Sequence, residues 1–258
     1  MTSNLWAAGD FSRIAPAAQV VGELLCDEVP VLAGDRVLDV GCGSGNTALA
    51  AARRRCEAAG VDPVEGLLER ARQRAAFEGL AVEFEVGAAE ELPFVAGRFD
   101  VVLSTFGLIF SAEPEAAVAE AARVLRAGGA LGLTSWRRGS LNDELFAECL
   151  AVRGDLAGLR EARDWGREEH AVRVLSGAFA PIHFVARQFL ARAQSARQWL
   201  EGMKQFLAPV HLAYQGLGEE AAGELDRRLL ELGQTHNELE DGRFLTRTPY
   251  LEIHARRR

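Results

Sequence analysis

Eleven residues, Arg36-Val37-Leu38-Asp39-Val40-Gly41-Cys42-Gly43-Ser44-Gly45-Asn46, constrain this chain more than any other stretch. Val37, Leu38 and Val40 form an apolar run too short for a core helix, and they read as a buried strand. Gly41, Gly43 and Gly45 then remove three β-carbons within five residues. The backbone there can turn tightly and approach a ligand closely. The alanine-rich run from Thr47 to Arg55 follows as a helix. Its first turn presents free N–H groups and the positive end of the helix dipole. A ligand carrying a carboxylate or hydroxyl groups suits that position.

The hundred residues that follow keep alternating strand and helix. After the strand at 36–40 comes a helix at 46–57, then a strand ending at Gly60-Val61-Asp62. Pro63 stands where the next helix begins, and that helix closes near Gly79. Val82 to Val86 alternates apolar and acidic residues, as a half-covered strand near a sheet edge does. Phe99 to Leu103 is a fourth strand. A helix at 113–126 stops at Gly128-Gly129, and Ala130 to Thr134 is a fifth strand. Such alternation predicts an α/β, doubly wound sheet that is mostly parallel, with right-handed crossovers.

Outside this core the rhythm differs. Residues 1–12 read as an irregular arm, and Ser12 to about Val29 as an amphipathic helix. Residues 140–180 are mostly helical. Ile182 to Leu190 and Arg247 to Ala255 read as two late strands, and the lack of a short helical crossover between them suits an antiparallel pairing. The helical stretches 195–207 and 218–236 fall between them, forming a cap over the carboxyl edge of the sheet. No linker divides the chain. The 258 residues are therefore read as one domain: arm and helix 1–34, ligand-binding core 35–136, and substrate-side cap with late strands 137–258.

Bulk properties narrow the function. Net charge is -8, which argues against a nucleic acid partner. The spacing of Cys26, Cys42, Cys56 and Cys149 fits neither a metal motif nor a disulfide framework, so no metal is expected, and the thiols are expected to be reduced, in the cytoplasm. No charged region followed by an apolar run opens the chain, and no apolar stretch reaches the roughly 20 residues of a membrane span.

The turn itself excludes two ligand types. A dinucleotide fingerprint requires G-x-G-x-x-G/A, and here the third glycine arrives one position early, with Asn46 at the sixth place. A phosphate-binding loop ends in Gly-Lys-Ser/Thr, and the chain's only lysine is Lys204. Two carboxylates point elsewhere. Asp62 ends the second strand, where a carboxylate can accept both hydroxyls of a ribose. Asp39 sits beside the turn, where it could orient an ammonium group through the loop or a water. Ribose plus amino acid without phosphate describes S-adenosylmethionine.

Val37 to Gly45 resembles the signature turn of class I S-adenosylmethionine-dependent methyltransferases. Gly60-Val61-Asp62 is similar to their ribose-binding acidic position. Glu90-Glu91-Leu92-Pro93-Phe94 with Phe99-Asp100-Val101-Val102 resembles the small-molecule branch that includes ubiquinone and menaquinone methyltransferases. Arg123-Val124-Leu125-Arg126-Ala127-Gly128-Gly129 resembles the turn before that family's fifth strand. The resemblance spans about residues 35–136. It implies a Rossmann-like sheet of seven strands with an antiparallel last strand, and the cofactor S-adenosylmethionine, released as S-adenosylhomocysteine. It implies a methionine end on Asp39, Gly41, Cys42, Gly43 and Asn46, and a ribose on Asp62 with Pro63 and Val64 near the adenine. Ser104, Thr105 and Phe106 would line the methyl-transfer side. One departure stands out. The family often places an acidic residue after the third strand to meet the adenine, whereas this chain has Gly87-Ala88-Ala89-Glu90. Backbone near Ala89, or Glu90 itself, is then left to take the place of Ala88.

The acceptor is less constrained. Methyltransferases of nucleic acid base amines resemble one another in an Asn/Asp-Pro-Pro-aromatic motif after the fourth strand, and this chain has Ser104-Thr105-Phe106-Gly107. A small-molecule O, N or C nucleophile is expected, methylated by in-line displacement in which positioning supplies most of the acceleration. The alternatives are a non-methylating reaction on the same fold and a cofactor-binding module without turnover. Candidate bases are His211 and Tyr214 in the apolar cap stretch. His170, His183, His236 and His254 read as surface or structural. Trp6 and Phe11 could close over the cofactor or pack as a surface arm. Trp136 and Trp165 are candidates for pocket walls. A homodimer through arm or cap is open.

Overall fold

A computed structural model describes residues 3–156 and 158–258. Seven strands form one sheet: β1 (Arg36–Val40), β2 (Glu57–Asp62), β3 (Val82–Val86), β4 (Phe99–Thr105), β5 (Leu125–Trp136), β6 (Phe179–Ala193) and β7 (Phe244–Arg257). Their order is β3-β2-β1-β4-β5-β7-β6. β1 to β5 pair in parallel, β7 is antiparallel to both β5 and β6, and the sheet is the Rossmann-like arrangement expected. Strand order reverses between β1 and β4. In open α/β sheets ligands bind at such a reversal, outside the carboxyl ends of the strands. The glycine turn leaves β1 there, and Phe106-Gly107 leaves β4 beside it.

The helices are α1 (Ser3–Trp6), α2 (Gln19–Glu28), α3 (Asn46–Arg53), α4 (Glu65–Glu78), α5 (Pro114–Val124), α6 (Leu141–Val152), α7 (Leu159–Asp164), α8 (Glu168–Leu175), α9 (Ala196–Phe206), α10 (Ala208–Tyr214) and α11 (Glu219–His236). Val37, Leu38 and Val40 are fully covered, as a central strand requires. In β3 Phe84 is buried and Val82 packs partly covered on the same face, while Glu83 and Glu85 face solvent, which suits its edge position. A β-carbon at Gly132 in β5 would lie 2.5 Å from Val29 Cγ2, so its absence lets the end of α2 lie close on the sheet. Ser140 and Ser195 cap α6 and α9 through their side-chain oxygens.

Several boundaries differ from the sequence reading. The helix expected over 12–29 is two 3-10 turns, Phe11–Arg13 and Ala15–Ala18, followed by α2. Pro16 lacks an N–H and cannot sit inside a continuous helix. The helix expected over 46–57 ends at Arg53, because β2 already begins at Glu57. Gly128-Gly129, read as a helix stop, lies inside β5, opposite a register shift between Phe99 and Val101. Both late strands are longer than expected. The stretch between them holds three helices, with α10 packed on α1 and α6. Among the described residues no helix is long and apolar enough to cross a membrane.

Candidate active site

The glycine turn is the floor of the site. Gly41 and Cys42 both donate their N–H to the carbonyl of Val61, at 2.8 and 3.0 Å, which ties the turn to β2. Gly41 has φ +68°, and a β-carbon there would lie 2.7 Å from Gly107 Cα. The turns after β1 and β4 touch backbone to backbone. Gly43 is different: a β-carbon would meet only the Phe11 ring, 3.9 Å away. Its missing side chain leaves space between the turn and the arm.

Two buried carboxylates flank this floor. Asp62 accepts from Gly43 N and from Val64 N, both at 2.9 Å. Burial raises its pKa against these two hydrogen bonds. Asp39 is only 1% exposed. Its Oδ2 accepts from Ala48 N at 3.0 Å, while Oδ1 is buried without a partner. Burial pushes this carboxyl up to about 8, with a further contribution from the charge of Asp62. An unpartnered buried carboxylate oxygen is costly unless something meets it.

A cavity opens over the turn, with about 1030 Å³ of free space including its solvent-open part. Pockets that enclose small ligands run to about 300–1,000 Å³. It brings together Asp39, Gly41, Cys42, Gly43, Asn46, Asp62, Pro63, Ala88, Ala89, Glu90 and Thr105. Glu90 accepts from the Ser111 hydroxyl at 2.6 Å. Asn46 spends both ends of its amide, donating to Ala15 O and accepting from Arg74, each at 2.8 Å. It thereby pins the arm to the turn. Cys42 packs in the turn, and burial holds its thiol well above the usual range, which removes it as a nucleophile.

Other expected residues are placed elsewhere. Ser104 does not line the cavity. Its hydroxyl donates to Val40 O at 2.6 Å and accepts from Leu108 N at 2.7 Å, locking the exit of β4 to the end of β1. His211 and Tyr214 do not line it either. His211 Nδ1 donates to Lys204 O at 3.1 Å, and the Tyr214 hydroxyl donates to Asp226 at 2.7 Å. These bonds hold α9, α10 and α11 together. His236 bonds Glu144 at 2.9 Å, and none of the five histidines lines the cavity. Trp165 is fully buried away from it.

The arm forms the opposite wall. Trp6 and Phe11 line the cavity, with ring centroids 5.7 Å apart, and Trp6 meets Phe110 edge-on at 4.7 Å. Phe106 stands on the remaining side with φ 53°, a left-handed conformation that costs a non-glycine residue about 1–2 kcal/mol. It is held there by a bond from its N–H to Thr134 Oγ1 at 3.0 Å and by stacking on Trp136, centroids 3.8 Å apart. Phe110, Ser111 and Gly107 also line the cavity and escaped the sequence reading. A glycine two residues past the end of β4 was the one local signal of Gly107.

The donor set fits S-adenosylmethionine: a turn without side chains, an unpartnered buried carboxylate oxygen at Asp39 and a second carboxylate at the end of β2. The comparisons agree. A sequence profile described as a methyltransferase domain matches residues 37–129. The chain is 33% identical over 244 residues to an uncharacterized protein of Mycobacterium tuberculosis, covering 92% of this chain and 88% of the other. It is 36% identical over 134 residues to methyltransferase GfsG of Streptomyces halstedii, covering 50% of this chain and 48% of the other. The crystal structure of the YcgJ protein of Bacillus subtilis shares the fold, with TM-score 0.64 at 21% identity over 91% of this chain and 97% of that one. The chain belongs to the class I S-adenosylmethionine-dependent methyltransferases, and S-adenosylmethionine is its cofactor.

Proposed function

We propose that this enzyme methylates an O, N or C nucleophile of a small-molecule acceptor, with residues 1–258 working as one methyltransferase domain in the cytoplasm. One observation carries the reading. The cavity is walled by Trp6, Phe11, Phe106 and Phe110, and among the described residues no lysine, arginine or histidine lines it. A polynucleotide acceptor is gripped through phosphate contacts from basic side chains, and these walls offer none. Apolar walls with a few polar groups suit a small organic molecule. The four cysteines are unpaired, in keeping with a reducing compartment.

Bound S-adenosylmethionine supplies a methyl group already activated on a sulfonium. The chain's residues supply position and dryness. The glycine turn admits the methionine end, and Asp39 Oδ1 is free to take up its ammonium, directly or through a water. Asp62 keeps acceptor capacity for ribose hydroxyls beside its two backbone bonds. Trp6 and Phe11 cover the turn and exclude water. Holding two reactants in line is worth about 7–11 kcal/mol of barrier, enough for a displacement of this kind without a dedicated base. The carboxylates lining the cavity are Asp39, Asp62 and Glu90, and each already holds a hydrogen bond within the protein.

The test uses methyl-labelled S-adenosylmethionine with three separated pools from cells: metabolites, nucleic acids and proteins. Label is expected in the metabolite pool, in a product heavier than its precursor by one CH₂. Label confined to nucleic acid or protein would overturn the reading.

A further inference from the structure

A second groove lies on the outer side of the arm. One wall is the arm itself, with Asp10, Ser12, Arg13 and Pro16, and the other is α4, with Arg70, Gln73, Arg74, Phe77 and Glu78. Arg53 and Gln19 lie in the groove as well, and Ser44 of the glycine turn lines both this groove and the cofactor cavity. Four guanidinium groups therefore face two carboxylates, Asp10 and Glu78. Arg53 is committed to Glu78 and Glu23, each at 2.6 Å. Asp10 accepts from Ser12 at 2.5 Å.

Arg13, Arg70 and Arg74 have no carboxylate partner among the described residues. Arg74 is the telling one. It is partly buried, yet its bonds go only to neutral groups: Ser44 O at 2.7 Å, Asn46 Oδ1 at 2.8 Å and Gln19 Oε1 at 3.3 Å. Burial pulls its pKa below the ordinary value. A half-desolvated cation with no carboxylate bonded to it, and only the more distant charge of Glu78 nearby, attracts an anion, and planar guanidinium groups match a phosphate better than ammonium groups do. At the rim, the Phe77 ring is 93% exposed.

We propose that this groove binds a phosphate-bearing small molecule, and that the bound anion holds the arm closed over the cofactor cavity. The geometry gives the coupling. Arg13 ends the turn that begins with Phe11, a wall of the cavity, while Arg70 and Arg74 belong to a helix anchored on the sheet. An anion shared between them bridges arm and core. It joins the bond from Asn46 to Ala15 O, which already ties the arm to the glycine turn.

Titration calorimetry at constant ionic strength tests this, with pyrophosphate as the probe and chloride as the control. Pyrophosphate is expected to bind the wild-type protein alone, and to tighten S-adenosylhomocysteine about fivefold or more. By reciprocity S-adenosylhomocysteine tightens pyrophosphate by the same factor. Arg70→Gln and Arg13→Gln should each weaken pyrophosphate about tenfold, while binding S-adenosylhomocysteine normally in chloride. Arg13 is exposed on the arm, so its variant keeps the test open if Arg70→Gln fails to fold. No heat with pyrophosphate, or wild-type affinity in both variants, overturns the site. Pyrophosphate binding that leaves S-adenosylhomocysteine affinity unchanged overturns the coupling. Because pyrophosphate is titrated into the protein alone, failure of the groove is distinguished from failure of the cofactor site.

Discussion

Replacing Asp39 with asparagine is expected to stabilise the protein and weaken cofactor binding in the same variant. In the folded state burial raises the Asp39 carboxyl from 3.8 to about 8. At 1.36 kcal/mol per unit, the wild-type protein gives up ~4 kcal/mol at pH 7 relative to a neutral group in the same place. The amide keeps an oxygen for Ala48 N but leaves its NH₂ unmatched where Oδ1 now lies, a cost of about 1–3 kcal/mol. The net gain is roughly 1–3 kcal/mol, or about 2–4 °C in Tm for each kcal/mol in a chain of this size. The sign follows from linkage. The folded protein holds a proton that the unfolded chain releases above about pH 4, so wild-type stability falls as pH rises from about 4 to about 8 and then levels. Asp39→Asn lacks that slope, and the gap between the two proteins widens over the same window. Binding runs the other way. Loss of a charge-assisted bond to the cofactor's ammonium is worth about 1.5–3 kcal/mol, or 10- to 100-fold in Kd. Thermal melts from pH 4 to 9 and calorimetry with S-adenosylhomocysteine read both effects. A variant no more stable than wild type at pH 8, or one with wild-type affinity, would refute the reasoning.

Three further substitutions separate the parts of the site. Gly41→Ala should lower Tm and cofactor affinity together: the left-handed φ alone costs about 1–2 kcal/mol, and the contact with Gly107 Cα at 2.7 Å forces the two turns apart. An unchanged melt would show that the turns are not in contact. Phe106→Gly should be more stable than Phe106→Ala by about 1 kcal/mol, because both lose the stack on Trp136 and only glycine is relieved of strain. The reverse order in a denaturant titration counts against strain at this position. Tyr214→Phe should cost about 1–2 kcal/mol through its bond to Asp226 and leave methyl transfer unchanged. A large loss of turnover without a loss of stability would instead place Tyr214 in the reaction.

What was legible in the sequence was local. A strand, three close glycines and a helix leave few arrangements, and acidic residues at fixed offsets put Asp39 and Asp62 beside the turn, where both line the cavity. The edge position of β3 followed from its alternation. What was not legible depends on closure in three dimensions. Ser104 looked like a cavity residue because its neighbour Thr105 is one, but strand alternation turns its hydroxyl the other way, onto Val40 and Leu108. His211 and Tyr214 lie in an apolar stretch that suits a pocket wall as well as a packed cap, and their bonds within the cap distinguish the two. Phe110 and Ser111 reach the cavity only because the chain folds back after β4.

Binding of S-adenosylhomocysteine to wild-type protein and to Asp62→Ala, measured side by side by calorimetry, tests the assignment of the site most directly. The wild-type protein is predicted to bind one equivalent. The variant should lose at least tenfold in affinity, because Gly43 N and Val64 N lose their acceptor and the ribose loses its own. A wild-type protein that gives no heat, or a variant that binds as tightly as wild type, would contradict the account.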